Sequence, residues 1–252
     1  MNDRQKQILD IINSKGEIHL NKLSELFPGY SVMTLRRDLI YLESKGLLVR
    51  IHGGAVSKTG LSRDGEEDAY SMRIKEHRDA KIVIANKAVS YVEKGRSIYF
   101  DAGTTVMQLA KTLQDDNFTI ITSAVNTALE LVKHPKVSVI LPGGNVNSNT
   151  LSCSGPTSLI GLSQMNIDLA FMSASGFSFE RGFTVSNMNE CELKKTVIKK
   201  ANKVFVLMDT SKFNKDLAFT FAYLEDVDVL ICEDNIPEEI RRTILEKNIV
   251  LL

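Results

Sequence analysis

Only three cysteines occur in the 252 residues, at positions 153, 191 and 232, odd in number and far apart. No CxxC pair accompanies them, and the four histidines are scattered without an HExxH pair. A disulfide framework and a metal site of familiar spacing are therefore excluded. Free thiols in a reducing cytoplasm are expected, with no metal and no cofactor. Long apolar runs are also missing: none approaches the roughly 18 residues that span a bilayer, so no membrane partner is expected. The first residues, MNDRQKQILDII, lack the apolar core and small-residue cleavage site of a secretion signal. There is no excess charge of either sign, with 31 basic and 31 acidic residues. That argues against a bulk polyelectrolyte partner but hides a local asymmetry. Residues 1–57 hold eight Lys/Arg against six Asp/Glu, and where those cations sit matters more than their sum.

What is present changes character near residue 57. Before it, short helical periods dominate. After it comes SKTGLSRDGEED, rich in Ser, Gly and charge, which reads as a linker over 58–72 between a domain at 1–57 and a second at 73–252. Ile74, Ala80, Ile82, Val83, Ala85 and Val89 recur at near-helical spacing and predict a helix over about 76–93. Strand candidates follow at 97–100, 118–122, 137–141, 169–174, 203–209 and 227–233. Helical stretches lie at 104–114, 124–133, 156–164, 189–201 and 237–246. The strands are short, continuously apolar and β-branched, as in a parallel sheet covered on both faces. The fold class expected is α/β: an open, Rossmann-like sheet wound with helices on both sides, preceded by a small helical domain.

In that small domain Ile8, Leu9, Ile11 and Ile12 lie on one side of a helix over 3–15. Leu20, Leu23 and Leu26 mark a second helix. Ser31 can cap a third, whose buried stripe is expected at Val32, Leu35, Leu39 and Leu42. Met33, Thr34, Arg36 and Arg37 then face outward near its N-terminal half, where a recognition helix exposes the residues that enter a major groove. Arg can bridge guanine O6 and N7 or clamp phosphate, and Thr can contact phosphate or a thymine methyl. LLVRIHGGAV at 47–56 reads as a strand, a turn at Gly53 and Gly54, and a returning strand. Arg50 and His52 flank that turn and are placed to touch phosphate or the minor groove. The expected partner is double-stranded operator DNA, with Ser31 counted among the contacting residues.

Taken together, LSELFPGYSVMTLRRDLIYLESKGLLVRIHGGAV and DAGTTVMQLA resemble the DeoR-type bacterial transcriptional regulators, over essentially the whole chain. The TLRRDL…GLL.R.HGGA pattern is that family's winged helix-turn-helix. Tyr30 departs from it, standing where a smaller aliphatic residue is usual. The C-terminal half of such regulators resembles ribose-5-phosphate isomerase.

Four stretches of the second domain carry candidate chemistry. Asp101 ends a predicted strand, and Gly103, Thr104 and Thr105 turn into a helix whose N-terminal amides favour an anion. Gly143 and Gly144 follow another strand and allow backbone to approach a ligand, with Asn145, Asn147 and Ser148 beside them. Glu190 and Lys194 share a helix face, where such a pair is most simply a solvated bridge. Lys212 follows a further strand end. All four fall on one edge of the expected sheet, where open α/β sheets bind ligands. By the family resemblance, these stretches line an effector site for a phosphorylated sugar. The Gly-Thr-Thr turn would hold the phosphate, Asp101 the sugar hydroxyls, and a lysine a negative charge or carbonyl.

An aldose–ketose isomerase needs a base and acids about its substrate carbonyl. The isomerases carry an acid-rich stretch after a central strand. Aligned with it, this chain has Ser173, Ala174, Ser175, Gly176 and Phe177, which cannot move protons as carboxylates do. The expectation is a sensor rather than an enzyme: a repressor, working as a dimer or higher homo-oligomer, whose operator affinity a sugar phosphate alters. The rival reading is an isomerase-like enzyme with an appended nucleic-acid-binding domain and Glu190 or Glu192 as base.

Overall fold

The computed structural model describes residues 1–15, 17–51, 53–57, 70–247 and 249–252. They fall into two compact units, Met1–Glu66 and Glu67–Leu252. The division lies inside the expected linker, of which only 70–72 is described; those residues are helical.

The first unit is a winged helix-turn-helix: α1 (Asp3–Lys15), β1 (Glu17–His19), α2 (Leu20–Leu26), α3 (Val32–Ser44), β2 (Leu48–Ile51) and β3 (Gly54–Ser57). Ile8, Ile12, Leu23, Leu35, Leu39, Leu42 and Leu48 make its core. Gly46, at φ 69°, stops α3. Its N–H donates to Glu43 O and that of Leu47 to Leu42 O, a Schellman closure that only a left-handed residue allows. One expectation fails here. Val32, expected in the buried stripe, is 48% exposed; Leu26, at the end of the correctly expected α2, is 44% exposed. Val32 opens α3, and a helical side chain covers the turn N-terminal to its own Cα, which here lies beyond the core. Asp38 occupies the buried face in its place. Nor does the sequence pattern announce β1, which adds a third strand in the order β1-β3-β2. Gly54 makes room for it: a Cβ there would lie 2.3 Å from Ile18 O.

The second unit begins with α4 (Tyr70–Arg73) and α5 (Arg78–Ala88). Its sheet contains β4 (Ser97–Phe100), β5 (Phe118–Thr122), β6 (Val137–Ile140), β9 (Ile167–Ser173), β12 (Ala201–Leu207), β14 (Val229–Ile231) and β15 (Val250–Leu251). All seven run parallel. Alternation sends Ile98, Phe100, Leu169, Phe171, Phe205 and Leu207 into one core. Tyr99, Ala170, Met172, Val204 and Val206 go into the other. Phe100, Phe171 and Phe205 are register partners on adjacent strands. Phe171 stacks on Phe205 with centroids 4.7 Å apart, so an aromatic ladder ties the three central strands. The crossovers are α6 (Thr104–Thr112), α7 (Val125–Leu131), α8 (Pro156–Ser163), α9 (Met188–Lys200) and α10 (Glu238–Glu246). A hairpin of β7 (Asn145–Asn147) and β8 (Ser152–Ser154), and a small sheet of β10 (Gly176–Ser178), β11 (Gly182–Val185) and β13 (Phe219–Ala222), complete the unit.

The strand order β15-β14-β12-β9-β4-β5-β6 fixes the important place. From β4 the chain winds outward through β5 to β6. It then returns to β9, beside β4, and winds the other way. The winding reverses between β4 and β9, and the crevice at their carboxyl ends is the topological switch point of the sheet.

Candidate functional site

In the first unit, the N-terminus of α3 is built by Ser31. Its Oγ accepts the Thr34 N–H at 3.2 Å and lies 2.9 Å from Thr34 Oγ1. Both hydroxyls thus define the start of the helix. Met33, Arg36 and Arg37 are exposed and Thr34 half-buried. The helix is clamped from beneath: the buried Asp38 carboxylate accepts from Arg4 Nε at 2.6 Å and Gln5 Nε2 at 2.8 Å. Tyr30, the departure from the family pattern, has the Arg4 guanidinium 4.2 Å above its ring. Arg50 is not idle at the wing. Its Nε donates to Glu43 Oε2 at 2.7 Å and its N–H to Glu43 Oε1 at 3.0 Å. These bonds pin β2 to α3 and hold the Glu43 carboxyl below its ordinary range. Gly53 has φ 81°. His52 lies outside the described residues.

In the second unit, the switch point gathers charge. Asp101 follows β4 and is 1% exposed. Its Oδ2 accepts from Ser173 N at 2.8 Å, from Ser173 Oγ at 2.8 Å and from Lys194 Nζ. Lys194 Nζ also donates to Ser173 O at 3.0 Å and lies 3.6 Å from Glu190 Oε1. Glu190 and Lys194 are therefore a buried pair, 5% and 1% exposed, and not the solvated bridge their spacing suggests. Asn187 caps α9 by accepting the Glu190 N–H. Asp101 Oδ2 is thus bound to protein donors on three sides, which limits the hydroxyl-binding role suggested for it.

Gly103 is the N-cap of α6, with its carbonyl accepting from Met107 N at 2.9 Å. A Cβ there would lie 2.3 Å from Ser173 Oγ and 2.7 Å from Ser173 Cβ. Only glycine lets the turn after β4 close against β9. Thr104 and Thr105 follow, both buried. The first amides of α6 have no acceptor within the helix and lie at the switch point.

The remaining candidates stand further along the same edge. Lys212 is in the short turn after β12, one strand beyond β9. Asp209, before it, accepts the Ser211 N–H at 3.1 Å. Gly143 and Gly144 follow β6, two strands from β4 on the other side. Gly143 O accepts from Ser158 Oγ, and a Cβ on Gly144 would meet Ser158 Oγ at 2.2 Å and Ser154 O at 2.7 Å. Those glycines seat the start of α8 on the loop.

One residue escaped the sequence reading. Lys81 is 3% exposed. Its Nζ donates to Glu76 O at 2.7 Å and to Arg73 O. Burial pushes its ammonium pKa down; the Asp209 charge raises it and the Lys212 charge lowers it again. Lys81 therefore holds together the segment that opens this unit. The signal was available, since Lys81, Ile84, Ala85 and Ala88 form the buried stripe of α5. A lysine within an apolar stripe needs a reason. The predicted apolar positions Ile82 and Val83 instead face solvent.

Two family descriptions match the two units. "DeoR-like helix-turn-helix domain" matches residues 4–60 and "DeoR C terminal sensor domain" residues 76–234. The HTH-type transcriptional regulator GolR of Listeria innocua is 34% identical over 93% of this chain and 91% of its own. The transcriptional repressor AccR of Agrobacterium fabrum is 32% identical over 98% of this chain and 97% of its own. Among solved structures, ribose 5-phosphate isomerase A of Methanocaldococcus jannaschii overlaps 55% of each chain at 18% identity, with a TM-score of 0.39. That overlap is too loose to transfer any role. The domain order and the full-length likeness to regulators carry the assignment: this chain belongs to the DeoR family of DNA-binding transcriptional regulators, a helix-turn-helix unit followed by a sensor domain.

Proposed function

We propose that the protein is a repressor whose second unit binds a phosphorylated sugar at the switch point and thereby alters operator affinity. The observation that carries this reading is the N-terminus of α6 lying at the switch point between β4 and β9, with Thr104 and Thr105 in its first turn. Helix amides with adjoining hydroxyls suit a phosphate dianion. In this reading Gly103, Thr104 and Thr105 cradle the phosphate. Asp101, Glu190 and Lys194 fix the floor of the cleft. Lys212 supplies charge from one side, and Gly143 and Gly144 shape the other. Met33, Thr34, Arg36 and Arg37 contact DNA, with Ser31 ordering their helix and Arg50, His52, Gly53 and Gly54 forming the wing. Residues 1–57 form the reading head, 58–72 the linker and 73–252 the sensor. The name of AccR supports the sign, repression.

Lys81 offers the route from sensor to head. Its ammonium holds carbonyls of Arg73 and Glu76, in the segment immediately after the linker. An anion that draws Lys81 toward the Asp209–Lys212 turn weakens those bonds. A coupling of roughly 1–3 kcal/mol between the two sites would change operator affinity about 5- to 150-fold.

The test is a panel of sugars with and without phosphate, read as thermal shifts and as operator gel shifts. A phosphorylated sugar is expected to raise the melting temperature and release the operator, while its unphosphorylated parent does neither. No thermal shift at millimolar concentration for any phosphorylated member would overturn the reading.

A further inference from the structure

A cleft of about 520 Å³ lies in the second unit where the segment after α4 and the first turns of α5 meet α6. Ile74, Lys75, Arg78 and Ile82 line it from the first of these, and Gln108 and Lys111 from α6. Its size is that of a small-molecule site. It is separate from the switch point, where Thr104 begins α6. Lys111 stands seven residues further on, roughly 10 Å along the helix axis.

Three cations and no carboxylate line this cleft. Lys75, Arg78 and Lys111 are exposed, and among the described residues none of them is ion-paired. The other lysines of α5 are engaged. Lys81 donates to the carbonyls of Arg73 and Glu76, and Lys87 pairs with Asp234 at 2.6 Å. Like charges around one hollow repel one another, and an anion among them turns that repulsion into attraction. The cleft also has an apolar part. Ile82, whose spacing predicts a core position, is 37% exposed there, with Ile74 beside it. Gln108 adds an amide that both donates and accepts.

We propose that this cleft is a second ligand site and that it takes a nucleoside di- or triphosphate. The phosphate chain spans the three cations, and the Arg78 guanidinium binds two of its oxygens at once. The base lies against Ile74 and Ile82, and Gln108 bonds to its edge. A single phosphate group carries too little charge to engage all three cations. A duplex presents its phosphates on a convex surface and gains nothing from two isoleucines. Ile74 and Lys75 belong to the stretch 73–76 whose carbonyls Lys81 holds, so an occupied cleft fixes the segment that opens this unit.

The test is calorimetric titration of the full chain with ADP, pyrophosphate and adenosine. Lys75→Gln and Lys111→Gln are combined, since both side chains are exposed and neither belongs to the switch point or to α3. ADP is expected to bind the parent more tightly than pyrophosphate does, and adenosine to give no heat. The double variant is expected to bind ADP about tenfold more weakly or worse, the loss of a charged hydrogen bond. Thr104→Glu, which blocks the switch point, is expected to bind ADP as the parent does, so this outcome is separate from that of the sugar-phosphate reading. A parent that binds no ADP, or binds ADP and pyrophosphate equally, overturns the proposal. Parental ADP affinity in the double variant overturns it as well. Loss of ADP binding in Thr104→Glu would move the nucleotide to the switch point, and loss of operator affinity in the double variant without nucleotide would give the cleft to DNA; either result overturns it.

Discussion

Adding one methyl group at Gly103 tests the geometry of the switch point more sharply than removing a charge. In Gly103→Ala the new Cβ would lie 2.3 Å from Ser173 Oγ and 2.7 Å from Ser173 Cβ. The hydroxyl could rotate away, but it would then leave Asp101 Oδ2 and the Ala102 carbonyl, to which it donates at 2.8 and 3.1 Å. The Cβ cannot move without shifting β9. Overpacking of this kind costs about 1–3 kcal/mol, and a lost hydrogen bond to a charged acceptor about 1.5–3 kcal/mol. Because the two costs overlap, a total near 2–4 kcal/mol is expected. The companion variant Gly103→Ala with Ser173→Gly removes both clashing atoms while keeping the backbone N–H bond from position 173. It should recover about 1–3 kcal/mol, the overpacking part. Native-state hydrogen exchange on peptides from β4 and β9 reads the stability of this unit alone. The argument fails if Gly103→Ala protects these peptides as well as the parent does. It also fails if the double variant is no more stable than the single one, since a double-mutant cycle must then assign the cost elsewhere.

Replacing Arg36 and Arg37 by Ala should abolish operator retardation and flatten the salt dependence of residual binding by about one unit per lost phosphate contact. Thermal shifts by sugar phosphate should persist; normal retardation would remove α3 from the DNA interface. Thr104→Glu puts a carboxylate where the phosphate is expected, and should give a protein that holds its operator at every effector concentration. Normal release by that variant would take the α6 turn out of the site. Lys81 predicts a dependence on pH. Its folded pKa lies below the ordinary lysine value of about 10.4. Below the folded value both states are protonated and the burial penalty is whole. As pH rises from there toward the unfolded value, the folded state releases its proton first, and stability rises. Urea midpoints for the parent minus Lys81→Met should climb through that window, and parallel curves would refute the assignment.

Most helices and strands of the large unit were legible because each carries its period or its apolar run within one window. The elements that were not legible depend on partners distant in sequence. β1 is only Glu17, Ile18 and His19, and it becomes a strand through pairing with Val56, Ala55 and Gly54. The short β10, β11 and β13 bring Phe177, Phe183 and Phe221 into the core, yet Phe221 lies far downstream of the other two. Val32 and Leu26 look apolar enough for a core stripe and are not in one. Helix ends lack neighbours on one side, and periodicity carries no information about that.

The candidate site divides in the same way. Local motifs showed where strands end: Gly103, Thr104 and Thr105 after β4, Lys212 after β12, Gly143 after β6. They could not show which ends meet. Strand order decides that, and it sets β9 beside β4 while leaving β6 two positions away. A spacing of four between Glu190 and Lys194 is the same in a solvated bridge and in a buried one. The difference is Asp101, 93 residues upstream of Lys194, which burial makes obligatory. A lysine that is 1% exposed is tolerated only with charge opposite and acceptors about it. Asp101, Glu190 and the Ser173 carbonyl supply these. Groups so engaged at Asp101 Oδ2 and Lys194 Nζ are good anchors for a backbone. In the reading proposed above, the chemistry offered to an effector therefore shifts from the acidic floor to the first turn of α6 and to Lys212 of the neighbouring turn. In that reading, such a site recognises an anion.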